Sequence, residues 1–242
     1  MLVQSKVARV ALFACLLMAF CAVPAFAAEE GAHGKSIIDL AKTTGWVGVL
    51  MAITSVVGTV LLILYVIEIR MDKLAPPTLT KEIGDAIEEG DLDKALEVAM
   101  SERCYFGQIM AGGLMLKEAG YEQMVNGMEQ VAAEEAFKLN ARISNLSLLG
   151  NIAPLLGLLG TVTGMITSFQ KIETMKAPTP ADLAVGVYES LVNTTCGLFL
   201  AIVFLTAYFF MKNKVTKLSL NANLMAVEML KNTGLYEKVG HH

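Results

Sequence analysis

Three long apolar stretches, separated by polar helix-forming sequence, dominate the pattern of the chain. They cover residues 46–67, 146–169 and 184–211. Each is long enough to cross the roughly 30 Å hydrocarbon core of a bilayer as a helix of about 20 residues. Backbone groups in lipid must be hydrogen-bonded internally, and three spans cannot close a barrel. The pattern therefore predicts an all-α membrane protein with three transmembrane helices.

The region between the first two spans, residues 68–145, has helical periodicity and predicts a cytoplasmic helical domain. The pair Pro76-Pro77 marks a break after the first span, and Asp91 stands at a cap-like position before an amphipathic helix. The apolar face of that helix consists of Leu92, Ala95, Leu96 and Ala99. Methionines 110, 115, 124 and 128 follow at helical spacing, which favours a helix-helix core over an adaptable Met-rich binding surface.

One long helix is predicted to leave this domain and continue as the second span. From Tyr121 to Phe169 the sequence is rich in helix formers and contains one proline, Pro154. A proline inside a helix removes one backbone hydrogen bond and introduces a bend. We therefore expect a kink at Pro154, just inside the membrane.

Basic residues at the ends of the spans set the predicted orientation, because cytoplasmic flanks are enriched in Lys and Arg. These residues are Arg70, Lys73, Lys138, Arg142, Lys212, Lys214 and Lys217. The cytoplasmic side then holds residues 68–145 and a C-terminal helix and tail, 212–242. The outer side receives an N-terminal segment, 28–45, and a short loop, 170–183.

The first 27 residues have the form of an export leader. Lys6 and Arg9 precede an apolar run that ends in Ala25-Phe26-Ala27, which predicts a signal peptide cleaved after Ala27. An uncleaved anchor helix is the alternative, since the apolar run is long for a leader. An exported N-terminus agrees with the predicted orientation of the spans.

Composition narrows the possible functions. The 242 residues are 55% hydrophobic and 17% charged, with a net charge of −4. No Lys/Arg-rich block offers a track for nucleic acid, so nucleic-acid binding is excluded. Cys104 and Cys196 are the cysteines left after the leader, and they form no metal-ligand pattern with histidine. We expect neither a metal nor another cofactor.

The third span carries polar residues that lipid does not favour. Within GVYESLVNTTCGLFL lie Glu189, Asn193 and Thr194, and Glu189 is the only acid in any span. A charge at the centre of a membrane helix costs about 3 kcal/mol on insertion scales, so such acids normally face water or protein. The alternative is that Glu189, about one turn from the outer boundary, reaches the lipid headgroups. With one acid and no motif of a hydrolase, we expect the protein not to be an enzyme.

Small residues in the second span favour close contact with a neighbouring helix. Gly157, Gly160 and Gly164 recur at spacings of three and four, and Gly197 supplies a small residue in the third span. At 1.5 Å per residue, Thr161 and Thr194 both lie roughly 12 to 15 Å below the outer surface. The two hydroxyls are therefore predicted to form one polar layer. For Thr161, a hydroxyl bonded to the preceding turn of its own helix is the alternative.

At these residues the sequence resembles the ExbB, TolQ and MotA family of inner-membrane stator and ion-channel subunits. LLGLLGTVTGMITSF is similar to the family's LGLxGTVxGxxxxF, and ESLVNTTCGL is similar to its E-A-L-x-x-T-A-x-G-L. The resemblance identifies Thr161 and Thr194 with two pore-layer threonines and Glu189 with the acid at the start of the last helix. Asn193 and Thr195 are more polar than the family pattern. Three spans make the architecture nearer to ExbB and TolQ than to MotA, which has four.

The resemblance implies a homopentameric ring whose last two helices line a central pore. That pore would be occupied by two copies of a single-span partner of the ExbD or TolR type. Such a motor uses the proton motive force to energise a partner at the outer membrane, for example a TonB-like protein in the import of biopolymers or siderophores. A sodium-driven stator and a passive helical scaffold are the alternatives.

Overall fold

The computed structural model describes residues 45–231, apart from positions 176 and 178 and the side chains of Asp182, Val185 and Glu189. The predicted leader, the segment as far as residue 44 and the tail from residue 232 onward lie outside the described residues. Within the described part all regular structure is helical, and no strand occurs there. The predicted all-α class is confirmed for these residues.

Seven α-helices and one short 3₁₀ helix are described. They are α1 (Gly45–Glu68), α2 (Met71–Leu74), α3 (Pro77–Glu88), α4 (Leu92–Ser101), α5 (Tyr105–Leu114), the 3₁₀ helix (Lys117–Ala119), α6 (Tyr121–Thr174) and α7 (Pro180–Lys231). Helices α1, α6 and α7 are long and apolar enough to cross a membrane, which agrees with the three predicted spans.

Local signals in the sequence account for several helix ends. Helix α3 begins at Pro77, where a missing N–H costs nothing because the first turn has no acceptor for it. The Asp91 side chain accepts a hydrogen bond of 3.0 Å from the Lys94 amide, so it caps α4 as predicted. Gly120, at a φ of +95°, precedes α6. That backbone conformation strongly favours glycine.

Pro154 lies inside α6, and the helix is assigned without a break from Tyr121 to Thr174. The long helix predicted from the few breakers in this stretch is therefore confirmed.

The chain divides into two compact units. The first comprises residues 45–64 and 144–209, and the second comprises residues 65–143 and 210–231 of the described part. In the first unit, the ring of Phe204 is fully buried and packs where Gly58 leaves no side chain. A Cβ on residue 58 would collide with that ring. The glycine therefore allows α1 to pack closely against α7.

The second unit has a hydrophobic core of its own. Its largest fully buried side chains are Ile83, Phe106, Ile109, Met110, Leu114, Met124, Met128 and Leu230. The expectation of a methionine-containing core holds for three of the four methionines. Met115 is 58% exposed, because it comes directly after α5 ends at Leu114.

Candidate functional site

A series of small residues brings the backbones of α6 and α7 together. A Cβ on Gly157 would lie 3.0 Å from the Thr194 Cα, and a Cβ on Gly197 would lie 2.6 Å from the Ala153 carbonyl oxygen. These are backbone atoms, which cannot rotate away as a side chain can. At Gly157 and Gly197 the two helices therefore approach at backbone distance, as small residues allow.

Asn193 packs against α6 one turn from this contact. It is buried, and a Cβ on Gly160 would lie 2.8 Å from the Asn193 Cβ and 2.9 Å from its amide nitrogen. The absence of a side chain at residue 160 thus makes room for the side-chain amide of Asn193. A buried amide costs free energy unless it is hydrogen-bonded.

Two reciprocal glycine-serine contacts extend the close packing of α6 and α7 toward the C-terminal end of α6 and the N-terminal end of α7. Ser190 packs where Gly164 has no side chain, and Ser168 packs where Gly186 has none. Each serine hydroxyl bonds to its own helix, Ser168 to the Gly164 carbonyl and Ser190 to the Gly186 carbonyl. Both helices therefore use a Gly-x-x-x-Ser unit. The spacing was visible in the sequence, but its pairing between the helices was not predicted.

A hydrogen bond links α7 to α6 at the level where the two threonines were predicted. The Thr194 hydroxyl donates to the Gly157 carbonyl oxygen over 3.1 Å. In an α-helix the carbonyl of residue 157 also accepts the amide of residue 161. Thr194 is thereby bonded to the turn of α6 that includes Thr161.

The Thr161 hydroxyl itself bonds to its own helix. It donates to the Leu158 carbonyl oxygen over 2.7 Å, which is the alternative that the sequence left open for this residue. The side chain is half-buried. Thr161 and Thr194, which were predicted to form one polar layer, are grouped with the buried Asn193, and the name polar layer refers to these three residues from this point on.

Glu189 belongs to α7, four residues before Asn193 along the helix. Its side chain lies outside the described residues, so its place relative to the polar layer stays a prediction. Thr195, which follows Thr194, is exposed and donates to the Leu191 carbonyl of its own helix. These adjacent threonines therefore make different contacts: Thr194 bonds to α6, whereas Thr195 bonds within α7.

These features define a class of protein: a helical membrane protein with three candidate spans, two of which are closely paired around the buried Asn193. A model of the MotA/TolQ/ExbB proton channel family matches residues 91–223, more than half of the chain. The chain belongs to that family. The matched range includes the polar layer and Glu189.

Individual relatives agree with this membership. The chain is 36% identical over 91 residues to the Tol-Pal system protein TolQ of Pseudomonas aeruginosa, covering 38% of this chain and 39% of that protein. It is 22% identical over 181 residues to a putative biopolymer transport protein ExbB homolog of Methanothermobacter thermautotrophicus, covering 74% and 64% respectively. A putative biopolymer transport protein, ExbB-like 1, of Synechocystis is 33% identical over 128 residues, covering 51% and 50%. The chain thus spans less than two thirds of the length of each of these relatives.

Proposed function

We propose that this protein is an ExbB/TolQ-like subunit of an ion-driven motor in the bacterial inner membrane. The observation that carries the proposal is the polar layer, in which the buried Asn193 and the interhelical bond from Thr194 lie between two closely packed membrane helices. Polar side chains within a span are costly, and they typically mark ion or substrate pathways. Membership of a proton channel family supports the same conclusion.

The proposed ion pathway consists of Glu189, Asn193, Thr161 and Thr194. Glu189 would receive the ion near the outer end of α7, and the polar layer would provide oxygen and amide groups further in. One charge that crosses 100 mV releases about 2.3 kcal/mol, so each ion drives only a modest change in packing. Mechanical output therefore requires many ion passages.

The proposed assembly is a homopentamer around a central pore that holds two copies of an ExbD/TolR-type partner. Large apolar side chains that are exposed on the single chain support an assembled state in a membrane. On α6 and α7 they include Leu155, Leu158, Phe169, Leu198, Ile202 and Phe209. In the assembly, lipid and neighbouring subunits would cover them.

The proposed orientation has residues 68–145 and the C-terminal end of α7 in the cytoplasm and residues 28–45 in the periplasm. Basic residues flanking the three spans support it. The described helices leave little on the outer side, since α6 ends at Thr174 and α7 begins at Pro180. The motor would therefore act at the outer membrane through a partner, for example a TonB-like protein that drives import of biopolymers or siderophores.

The test measures ion flux into liposomes after coexpression with a single-span protein of the ExbD or TolR type from the same organism. We expect Glu189→Gln and Thr194→Val to abolish flux while the oligomer stays assembled in detergent. Thr195→Val is the matched control, because it removes a neighbouring exposed hydroxyl that bonds only within α7. Flux at wild-type levels in both Glu189→Gln and Thr194→Val would refute the proposed pathway. Repeating the assay with a sodium gradient separates proton from sodium as the driving ion.

A passive scaffold is the second candidate, and one observation favours it. The hydroxyls of Thr161 and Thr194 are both engaged in hydrogen bonds, so they also serve to hold backbone groups in place. In a scaffold, Thr194→Val and Glu189→Gln would both dissociate the oligomer and change nothing else. The same set of variants therefore distinguishes a scaffold from a motor, once assembly is measured beside flux.

A further inference from the structure

A cavity of about 310 Å³ with both charged and apolar lining residues lies within the second unit. Its charged lining residues are Lys73, Arg103, Lys138, Arg142, Glu68 and Glu135. The wall therefore carries four basic and two acidic side chains. Its volume falls at the lower end of the range for small-ligand sites, about 300 to 1,000 Å³.

Two of the four cations in the wall are paired with carboxylates. The Arg142 Nη1 lies 2.6 Å from the Glu68 Oε1, and the Lys138 Nζ lies 2.7 Å from the Glu135 Oε1. Neither Lys73 nor Arg103 has a carboxylate within ion-pair distance among the described residues. The cavity wall thus has two positive charges that no carboxylate of the described residues neutralises.

The position of these residues along the chain indicates where an anion would come from. Glu68 is the last residue of α1, and Arg142 precedes the predicted second span by four residues. In the proposed orientation, both lie at the level of the cytoplasmic headgroups. That leaflet carries the anionic lipids, and basic pockets beside transmembrane helices on this side bind their headgroups.

We propose that this cavity binds the phosphodiester of an anionic phospholipid, of the phosphatidylglycerol or cardiolipin class. Arg103 would hold two phosphate oxygens with its planar guanidinium, and Lys73 would add a compact charge. The Gln108 amide, which also lines the cavity, supplies a neutral donor. Leu74 and Leu139 form an apolar part of the same wall, suited to the glycerol end of the lipid.

The first measurement counts lipids retained by the purified full-length protein, by native mass spectrometry, after exchange into mixtures of phosphatidylglycerol and phosphatidylcholine. The test variant is Lys73→Gln/Arg103→Gln. The control is Lys81→Gln/Lys217→Gln, which removes the same charge from exposed lysines outside the cavity. We expect the test variant to bind phosphatidylglycerol about 30-fold more weakly, since each basic residue near an anionic surface contributes about one kcal/mol.

The second measurement uses Cys104, another residue of the cavity wall, as a reporter. In a variant that keeps Cys104 as its sole cysteine, phosphatidylglycerol should slow reaction with a charged maleimide and phosphatidylcholine should not. Inorganic phosphate and soluble glycerophosphoglycerol are the comparison probes. If these soluble anions slow the reaction of Cys104 with the maleimide and phosphatidylglycerol does not, the bound phosphate does not come from a lipid and the proposal is wrong.

Equal retention of phosphatidylglycerol by the test variant and the wild type would overturn the cavity as the site. The reporter assay needs no charge substitution. It can therefore still refute the proposal if the Lys73→Gln/Arg103→Gln variant does not fold. Neither assay requires ion flux. Lipid binding and the proposed motor function therefore stand or fall separately.

Discussion

The Thr194 hydroxyl of α7 donates a hydrogen bond to the Gly157 carbonyl of α6 over 3.1 Å. Gly157 makes this possible because it has no side chain to separate the two backbones. One residue pair thus combines close packing with a polar contact. Substitutions at the two residues give two distinct predictions.

Retaining the hydroxyl at residue 194 should retain function. Thr194→Ser keeps the donor to the Gly157 carbonyl, so we expect most of the ion flux to remain, whereas Thr194→Val should lose it. The valine variant also forfeits one hydrogen bond, a loss of about 1 kcal/mol in the free energy of unfolding. Flux assays and thermal unfolding in detergent measure the two effects. Equal flux in the serine and valine variants would contradict a role for this hydroxyl in the pathway.

Enlarging residue 157 should separate the helix pair. In Gly157→Ala the new Cβ would lie 3.0 Å from the Thr194 Cα and 3.2 Å from the Asn193 carbonyl oxygen, so backbone has to move. We expect a lower midpoint of thermal unfolding and loss of flux. Gly84→Ala in α3 is the matched control, because its Cβ would meet only the Met229 side chain at 3.6 Å. There, alanine should stabilise the helix by up to about 1 kcal/mol.

Tyr105 should stabilise the second unit through its hydroxyl. That hydroxyl lies 3.1 Å from the Asn223 Oδ1 and 3.3 Å from the Ala132 carbonyl oxygen. Tyr105→Phe leaves both acceptors without this donor, so the free energy of unfolding should fall by about 1 to 2 kcal/mol. Chemical denaturation measures the change, and Tyr188→Phe, at a residue 54% exposed, is the comparison. An unchanged denaturation midpoint in Tyr105→Phe would show that the two contacts contribute nothing to stability.

The Cys104 thiol should be alkylated slowly in the folded protein, and its ionisation should lower the free energy of unfolding at alkaline pH. Burial raises the pKa of the Cys104 thiol in the folded protein above its ordinary value. The unfolded chain therefore loses the thiol proton at lower pH than the folded chain does. The stabilising contribution is complete below the ordinary thiol pKa and is lost as pH rises toward the raised folded value.

Two measurements check this behaviour of Cys104. Alkylation at pH 8 should be slower in the folded protein than in denaturant, and the free energy of unfolding should decline above about pH 8.5. Cys104→Ala should make that decline shallower, leaving the ionisation of other groups to act at higher pH. Alkylation as fast in the folded state as in denaturant would contradict a raised thiol pKa.

The sequence predicted what depends on local chemistry. Apolar length defined the three long helices, and the carboxylate of Asp91 identified the start of α4. Small residues at spacings of three and four predicted a close helix contact, which Gly157 and Gly160 make with α7. These signals work because chain length, capping and the absence of a Cβ act within a few residues.

What depends on pairing between distant residues was not predictable. The glycine-serine units at residues 164–168 and 186–190 are separate in the sequence, and only the antiparallel register of α6 and α7 matches each serine with the opposite glycine. The cavity in the second unit likewise combines Lys73, Arg103 and Lys138 from three separate regions of the chain. Nothing local in the sequence connects them.

The backbone contacts at Gly157 and Gly197 limit how α6 and α7 can move against each other. Where one backbone lies directly on another, α6 and α7 cannot slide or turn against each other without a collision. We therefore expect these parts of α6 and α7 to move together as one rigid unit. In the proposed motor, ion-driven movement would then take place at the outer surfaces of this helix pair, and a ligand bound at those surfaces should block ion flux without unfolding the protein.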